Sequence, residues 1–428
     1  MGIQLSMPGT KPVVQPRENE VVLGPRLGLL ILLTGAGAGL TSGLLMKLLR
    51  LVQHFFFHYR QGDFLSGVEG VSNAHRVIVL ACAGILAGLV LLAVQRIRDH
   101  RGPGLNDAIR EHAGELPERS LTVKAILSIV VVGMGAAIGR EASLKEAGAL
   151  VGKKLADLTR LTAGERRLLV ACGAGAGMAA AYNVPLGGAL FVLEVLLETV
   201  SVSAVLAAFA TSFLATAVSW LMLPNLPTYQ FPELPMTGSL LLWALIAGPL
   251  LGMASIVFVR GIEWSKEHKP QGWRVAVLPV VVFTMLGALA IPFPQLLGNG
   301  RNVVQLAFDE KMSVALLGWL LVLRPLATML VLRAGVPGGL FTPTMTFGAL
   351  SGALLGEAWN HLAHAVDERG AVLLGTGAVL AACTQAPISS VVFMLELTGR
   401  AGSLIAPLLI AVCGAVWIFR QFETKTTY

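Results

Sequence analysis

Apolar runs of near-membrane length alternate with short polar breaks along the whole chain. Residues 27–46, 77–94, 205–223, 240–259 and 404–419 each read as a helix of this kind. A membrane span takes roughly 20 apolar residues, so the pattern predicts an all-α polytopic membrane protein. Segments between these runs are too short, or too broken by glycine, to span alone. The breaks fall at Gly102-Pro103-Gly104, Gly139, Asn183-Val184-Pro185, Gly338-Gly339 and Gln385-Ala386-Pro387. Irregular backbone at membrane depth survives only when buried in protein or lining a water-filled cavity. A packing kink accounts for any one break, and a central ion site accounts for several together.

The pattern also repeats. Residues 173–195 read GAGAGMAAAYNVPLGGALFVLEV and residues 375–397 read GTGAVLAACTQAPISSVVFMLEL, with nine of 23 positions identical at an offset of 202. The segments at Gly139 and Gly339 recur at an offset of 200. Matching order in two weakly similar regions predicts a duplicated fold with its site at the repeat interface. The expected organisation is an N-terminal cytoplasmic tail over 1–26, a first membrane repeat over 27–222, a connecting loop over 223–238 rich in proline, and a second membrane repeat over 239–428. Further loops are expected at 262–271 and 367–370.

Two segments hold the candidate chemistry. Gly139-Arg140-Glu141 opens a stretch ending Gly148-Ala149-Leu150, and Gly339-Leu340-Phe341-Thr342-Pro343 opens one ending Gly348-Ala349-Leu350. Each reads as a glycine-started break followed by a helix. Two helix starts from two halves of one chain can point at one anion, because each offers free N–H groups and about half a positive charge. The Glu141 carboxylate can occupy that position when the anion is away. The bland alternative is a Glu141–Arg140 pair at a membrane surface, which leaves the matching Gly339 segment unexplained. Glu194 and Glu396 occupy equivalent repeat positions and read as helix ends near water, with Glu198 one turn beyond the first. Lys124 reads equally as a snorkelling lysine or as part of a positive potential near the pore. Gly173 to Gly177 superficially resembles a phosphate loop but lacks a preceding strand, so close helix packing is the expectation.

Composition agrees with the pattern. Of 428 residues 55% are hydrophobic and 13% charged, with mean hydropathy +0.72, where soluble domains carry about 25% charged residues. The net charge of +7 is spread over short loops such as Arg96-Ile97-Arg98 with Arg101, and Arg166-Arg167. That suits topology control and contact with membrane lipid, not nucleic acid. Cys82, Cys172, Cys383 and Cys413 have no metal or redox spacing, and the eight histidines show no HExxH pattern. Glu141 has no nucleophile or metal-ligand partner at motif spacing. No cofactor, no metal and no enzyme are expected.

These residues resemble the CLC family of chloride channels and anion/proton exchangers. The likeness runs from about residue 27 to 428. Where the family has motifs close to GSGIP, GREGP and GxFxP, this chain has Gly102-Pro103-Gly104-Leu105-Asn106, Gly139-Arg140-Glu141-Ala142-Ser143 and Gly339-Leu340-Phe341-Thr342-Pro343. Tyr182-Asn183-Val184-Pro185-Leu186 is similar to the family's segment before its inner glutamate. The resemblance implies a homodimer in which each subunit has its own pore, built from two inverted repeats of tilted, broken helices. It implies that Glu141 is the gating and proton-transfer carboxylate. Anion-binding positions would be Pro103, Gly139, Arg140, Glu141, the amides of Leu340 and Phe341, and Tyr428 in place of the family's pore tyrosine. The partners implied are chloride or another small monovalent anion, and protons. The place implied is the inner membrane of a bacterium, since nothing follows Tyr428 to form the soluble domains of eukaryotic members.

Five positions depart from the family, among them Ala142-Ser143 in place of the motif's Gly-Pro. Pro103 replaces the serine that touches the anion, as in the nitrate-preferring plant exchangers, and Asn106 replaces the motif's proline. Val195 stands where many exchangers have an inner proton-transfer glutamate. The leading expectation is chloride/proton exchange gated by Glu141. The alternatives are an uncoupled chloride channel or a fluoride- or nitrate-specialised exchanger. A remote alternative is an unrelated sodium-coupled transporter of an anionic solute.

Overall fold

The computed structural model describes residues 21–59, 62–97, 102–363 and 366–422. Arg98, Arg101, Tyr428 and residues 1–20 of the expected tail lie outside the described residues. Seventeen α-helices and no strands form among the described residues. The first half comprises α1 (Pro25–Phe57), α2 (Phe64–Gly70), α3 (Asn73–Val94), α4 (Leu105–Glu111), α5 (Glu118–Gly133), α6 (Glu141–Thr159), α7 (Ala163–Tyr182), α8 (Pro185–Phe191) and α9 (Val202–Ser219). A π-helical turn, Val192–Leu197, continues α8. The second half comprises α10 (Gly238–Glu267), α11 (Arg274–Leu289), α12 (Arg301–Phe308), α13 (Val314–Arg333), α14 (Phe341–Ala363), α15 (Glu368–Thr384), α16 (Pro387–Thr398) and α17 (Ile405–Phe422).

Among the described residues, six helical stretches are long and apolar enough to cross a membrane, and each buries half or less of its apolar window inside the protein. Their remaining apolar faces, such as Leu44, Leu51, Leu89 and Val257, are exposed. In water such a surface would drive association. Such a surface suits the apolar surroundings of a bilayer.

Two expected loops are shorter than the sequence pattern suggests. Residues 262–267 continue α10, where Lys266 pairs with Glu263 at 3.1 Å along the helix. Residues 368–370 already belong to α15, because Asp367 caps it by accepting the Arg369 N–H at 3.0 Å. The long connection after α9 runs to Thr237, whose hydroxyl caps α10.

Packing repeats with the sequence. α6 packs on α7 and α14 on α15, and in each half the next short helix, α8 or α16, packs on the second of the pair. Glycine makes the close approaches. A Cβ at Gly148 would strike the Gly173 backbone, and one at Gly348 would strike the Gly375 backbone. The glycines from Gly173 to Gly177 are therefore a packing surface. The breaks repeat as well. Asn183 (φ 58°) and Gln385 (φ 56°) end α7 and α15 in the left-handed region, and Pro185 and Pro387 open the next helices.

Candidate functional site

The two candidate segments meet. α5 and α13 are each followed by a left-handed glycine, Gly135 (φ 107°) and Gly335 (φ 82°), which turns the chain into an extended stretch. These stretches pair antiparallel. The Gly139 N–H donates to the Gly339 carbonyl at 2.9 Å, and the Gly339 N–H donates to the Gly139 carbonyl at 2.7 Å. The first stretch is anchored from outside, by the Thr328 hydroxyl donating to the Ala137 carbonyl and the Gly298 N–H donating to the Gly135 carbonyl, both at 2.9 Å. Beyond the bridge, α6 starts at Glu141 and α14 at Phe341, so two helix N-termini face one small volume.

Glu141 fills it. Its side chain is 0% exposed. Oε1 accepts the Thr342 N–H at 2.9 Å, and Oε2 accepts the Tyr182 hydroxyl at 3.2 Å. The Thr342 and Tyr182 oxygens are 2.9 Å apart, while Thr342 Oγ1 is 3.5 Å from Oε2. One proton arrangement satisfies all three groups, with Thr342 donating to the Tyr182 oxygen and Tyr182 donating to the carboxylate. Both bridge glycines are required by this placement. A Cβ at Gly139 would fall on the carboxylate oxygens, and one at Gly339 would fall on the Glu141 Cγ and Cδ.

Aromatic rings pack beside the carboxylate. Tyr182 lies 5.8 Å from Phe341, Phe341 lies 4.9 Å from Phe393, and Phe393 lies 6.3 Å from Phe191, centroid to centroid. The Arg140 guanidinium stands 5.1 Å from the Tyr182 ring centroid. Arg140 is 7% exposed and its Nε has no hydrogen-bond partner among the described residues. It lines a cavity of about 620 Å³ at one side of the bridge, together with Arg50, Arg301, Asn183 and Gln230. At the far end of α6, Lys153 pairs with Glu118 at 2.7 Å and Asp157 at 2.6 Å, and Arg166 pairs with Glu115.

Of the residues singled out from sequence, Gly139, Arg140, Glu141, Leu340 and Phe341 come together. No hydrogen bond takes up the N–H of Leu340 or Phe341 among the described residues. Pro103 sits half-buried ahead of α4, which packs on α7 and the π-helical turn. Tyr428 lies outside the described residues. Thr342 and Tyr182 were not singled out. Thr342 was inside the quoted Gly339 motif, and Tyr182 inside the quoted Tyr182-Asn183-Val184-Pro185-Leu186 segment, where it ends a helix of small residues.

Comparison with known proteins places this arrangement. The sequence profile described as voltage gated chloride channel matches residues 83–420. The chain belongs to the CLC family. It is 32% identical over 415 residues to the voltage-gated ClC-type chloride channel ClcB of Salmonella typhimurium, covering 94% of this chain and 97% of that one. ClcB of Escherichia coli strain SMS-3-5 is 31% identical over 393 residues, covering 88% and 92%. Among solved structures, a slow cyanobacterial Cl−/H+ antiporter superposes with a TM-score of 0.83 at 20% identity, covering 95% of this chain and 97% of that one. A CLC-type fluoride/proton antiporter gives 0.76 at 22% identity, covering 92% and 95%. CLC proteins are channels and transporters, not enzymes, and this chain is a multi-pass membrane protein of that family.

Within the CLC fold, Val195 lies on the π-helical turn and is 4% exposed. Its carbonyl accepts from Arg110 Nη2 at 3.1 Å, and Arg110 also pairs with the exposed Glu198 at 2.6 Å. Glu194 and Glu396 are not helix ends facing water. Glu194 accepts the N–H groups of Ile388 and Ser389 at the start of α16, and Glu396 accepts those of Leu186 and Gly187 at the start of α8. Each repeat caps a helix of the other, taking up N–H groups that a helix start leaves without an intrahelical partner.

Proposed function

We propose that this protein exchanges chloride for protons, with Glu141 as both gate and proton carrier. One observation carries the reading. The carboxylate lies across two bridged glycines and takes the Thr342 N–H at the start of α14. A carboxylate oxygen there is a tethered anion in a place built from helix-start N–H groups. Protonation removes its charge, weakens its hold on those donors and frees the place for a mobile anion. The unused N–H groups of Leu340 and Phe341, with Gly139 and Arg140, then face that anion. Pro103 on the other approach and Tyr428 complete the proposed anion-binding set.

The cavity side with Arg50 and Arg301 faces outward in this reading. The basic residues of the opposite end, among them Arg110, Lys153, Arg166 and Arg167, fit the cytoplasmic side of a bacterial inner membrane. Pairing into a homodimer and contact with membrane lipid belong to the same reading. Val195 favours a second reading, an uncoupled chloride channel, since a valine cannot carry a proton. Pro103 and Asn106 favour a fluoride- or nitrate-specialised exchanger over strict chloride preference.

Liposomes carrying the purified protein test this directly. A chloride gradient should drive protons uphill in the wild type. Glu141→Gln and Glu141→Ala should abolish proton movement and leave anion flux that no longer responds to pH. Anion flux without proton movement in the wild type supports the channel reading. Unchanged pH dependence in both variants removes Glu141 from the gate.

A further inference from the structure

In the two turns after Glu141, α6 carries two more ionisable side chains. Lys145 follows it by four residues, so the two lie on one helix face with Cβ atoms about 6 Å apart. Lys145 is 6% exposed, and its Nζ stands 5.2 Å from the centroid of Phe191, the residue that precedes the π-helical turn bearing Val195. Glu146 is the next residue and is half-buried. Lys145 feels Glu141 and Glu146 of its own helix and Lys266 of α10, and Glu146 feels Lys145 and Lys124 of α5. α7 meets α6 at this level with Gly173 and Gly177, which bring no charge.

The anion-binding set proposed at the glycine bridge includes neither side chain. A charged group at membrane depth costs at least about 2.5–3.5 kcal/mol on insertion scales, and such groups face the protein interior, where they mark ion or proton paths. Lys145 and Glu146 continue from Glu141 toward the end of α6, where the buried Lys153 pairs with Glu118 and Asp157, whose side chains reach the surface. Val195, on the turn next to Phe191, supplies no titratable group to that route.

We infer that Lys145 and Glu146 are the inner leg of the proton path to Glu141. This rests on the exchange reading above. In the inward-to-outward direction, the Lys145 ammonium gives one proton to the Glu141 carboxylate, leaving a neutral amine and a carboxylic acid. Protonated Glu146, about 100° around the helix from Lys145, then returns a proton to the amine through a bridging water and becomes a carboxylate. Water at the basic end restores the Glu146 proton. Each N–H or O–H bond broken is matched by one formed, and the reverse order serves the opposite direction. In this structure the Glu141 carboxylate is held by Thr342 and Tyr182, so transfer occurs once it leaves them or through a bridging water.

The experiment is simultaneous measurement of proton uptake and chloride efflux in liposomes, for the wild type, Glu141→Ala, Lys145→Met, Lys145→Arg and Glu146→Gln. Arginine keeps the positive charge and does not deprotonate in proteins, so Lys145→Arg separates a proton carrier from a fixed charge. The expected result is a fall of about tenfold or more in protons moved per chloride for all three inner variants, with chloride efflux largely retained. Coupling that persists in Lys145→Arg makes Lys145 a fixed charge and overturns its role as a carrier. Coupling at the wild-type ratio in Lys145→Met and Glu146→Gln overturns the inference while leaving the exchange reading intact. A wild type that moves chloride alone overturns both. Should Lys145→Met fail to give a monodisperse protein, Lys145→Arg and Glu146→Gln decide the matter.

Discussion

At the scale of single residues, the site turns on which donors hold one carboxylate. Tyr182 and the Thr342 amide are the two partners within ordinary hydrogen-bond distance of Glu141. Tyr182→Phe removes one donor and leaves the ring packing on Phe341 in place. A single intramolecular hydrogen bond contributes about 0.5–1.5 kcal/mol net. The carboxylate should therefore vacate the bridge more often, and anion flux at neutral pH should rise by about twofold to tenfold. Parallel flux assays on wild type and Tyr182→Phe check this, and equal rates would mean that Tyr182 does not restrain the gate. Glu141 was legible in the sequence because a carboxylate at a glycine break has few bland explanations. Thr342 and Tyr182 were not, because their role depends on two helices separated by more than 150 residues meeting at one carboxylate.

At the scale of elements, broken helices are made tolerable by contacts across the repeats. Glu194 serves the start of α16 and Glu396 serves the start of α8. Removing a side-chain cap costs about 0.5–2 kcal/mol, and a buried unpaired N–H adds a penalty of similar size. Glu194→Ala and Glu396→Ala should each lower the apparent unfolding temperature in detergent. The double variant should fall further, because the two caps sit on different helices. Thermal scanning at a fixed rate reads this out, and an unchanged midpoint in both single variants would show that water or lipid satisfies these helix starts. Gly148→Leu should be more severe than either, since its side chain would enter the Gly173 backbone of α7. The sequence announced the breaks through Gly and Pro, and missed their caps. A glutamate after an apolar run looks the same whether it faces water or a helix start from the other half of the chain.

At the scale of the whole molecule, charge is arranged unevenly about the bridge. The cavity at one side is lined by Arg50, Arg140 and Arg301, with Asp63 on its wall. Clefts walled by low-dielectric protein focus such a field and raise the local anion concentration. Arg50→Gln together with Arg301→Gln should lower flux at low chloride by several-fold. The deficit should shrink as salt rises and the Debye length falls to about 8 Å at 0.15 M and about 3 Å at 1 M. Flux measured against ionic strength checks this, and a deficit independent of salt would point to a structural effect instead.

The sequence by itself determined the class of molecule. Long apolar runs with few charges leave no other solvent for this chain than a bilayer, and a repeated order of glycine breaks requires a duplicated fold. It also determined several places where backbone would be irregular, since Pro185 and Pro387 act through local geometry alone, while the left-handed turns at Gly135 and Gly335 emerged only from the structure. Only the tertiary structure decided what those irregular segments do. The pairing of Gly139 with Gly339, the Thr342 amide on Glu141, the exchanged caps of α8 and α16 and the position of Lys145 beside Phe191 are all contacts between parts distant in the chain. A periodic apolar pattern specifies which face of a helix is buried. It does not specify which other helix start that face will meet, and at this site that meeting is what places the carboxylate.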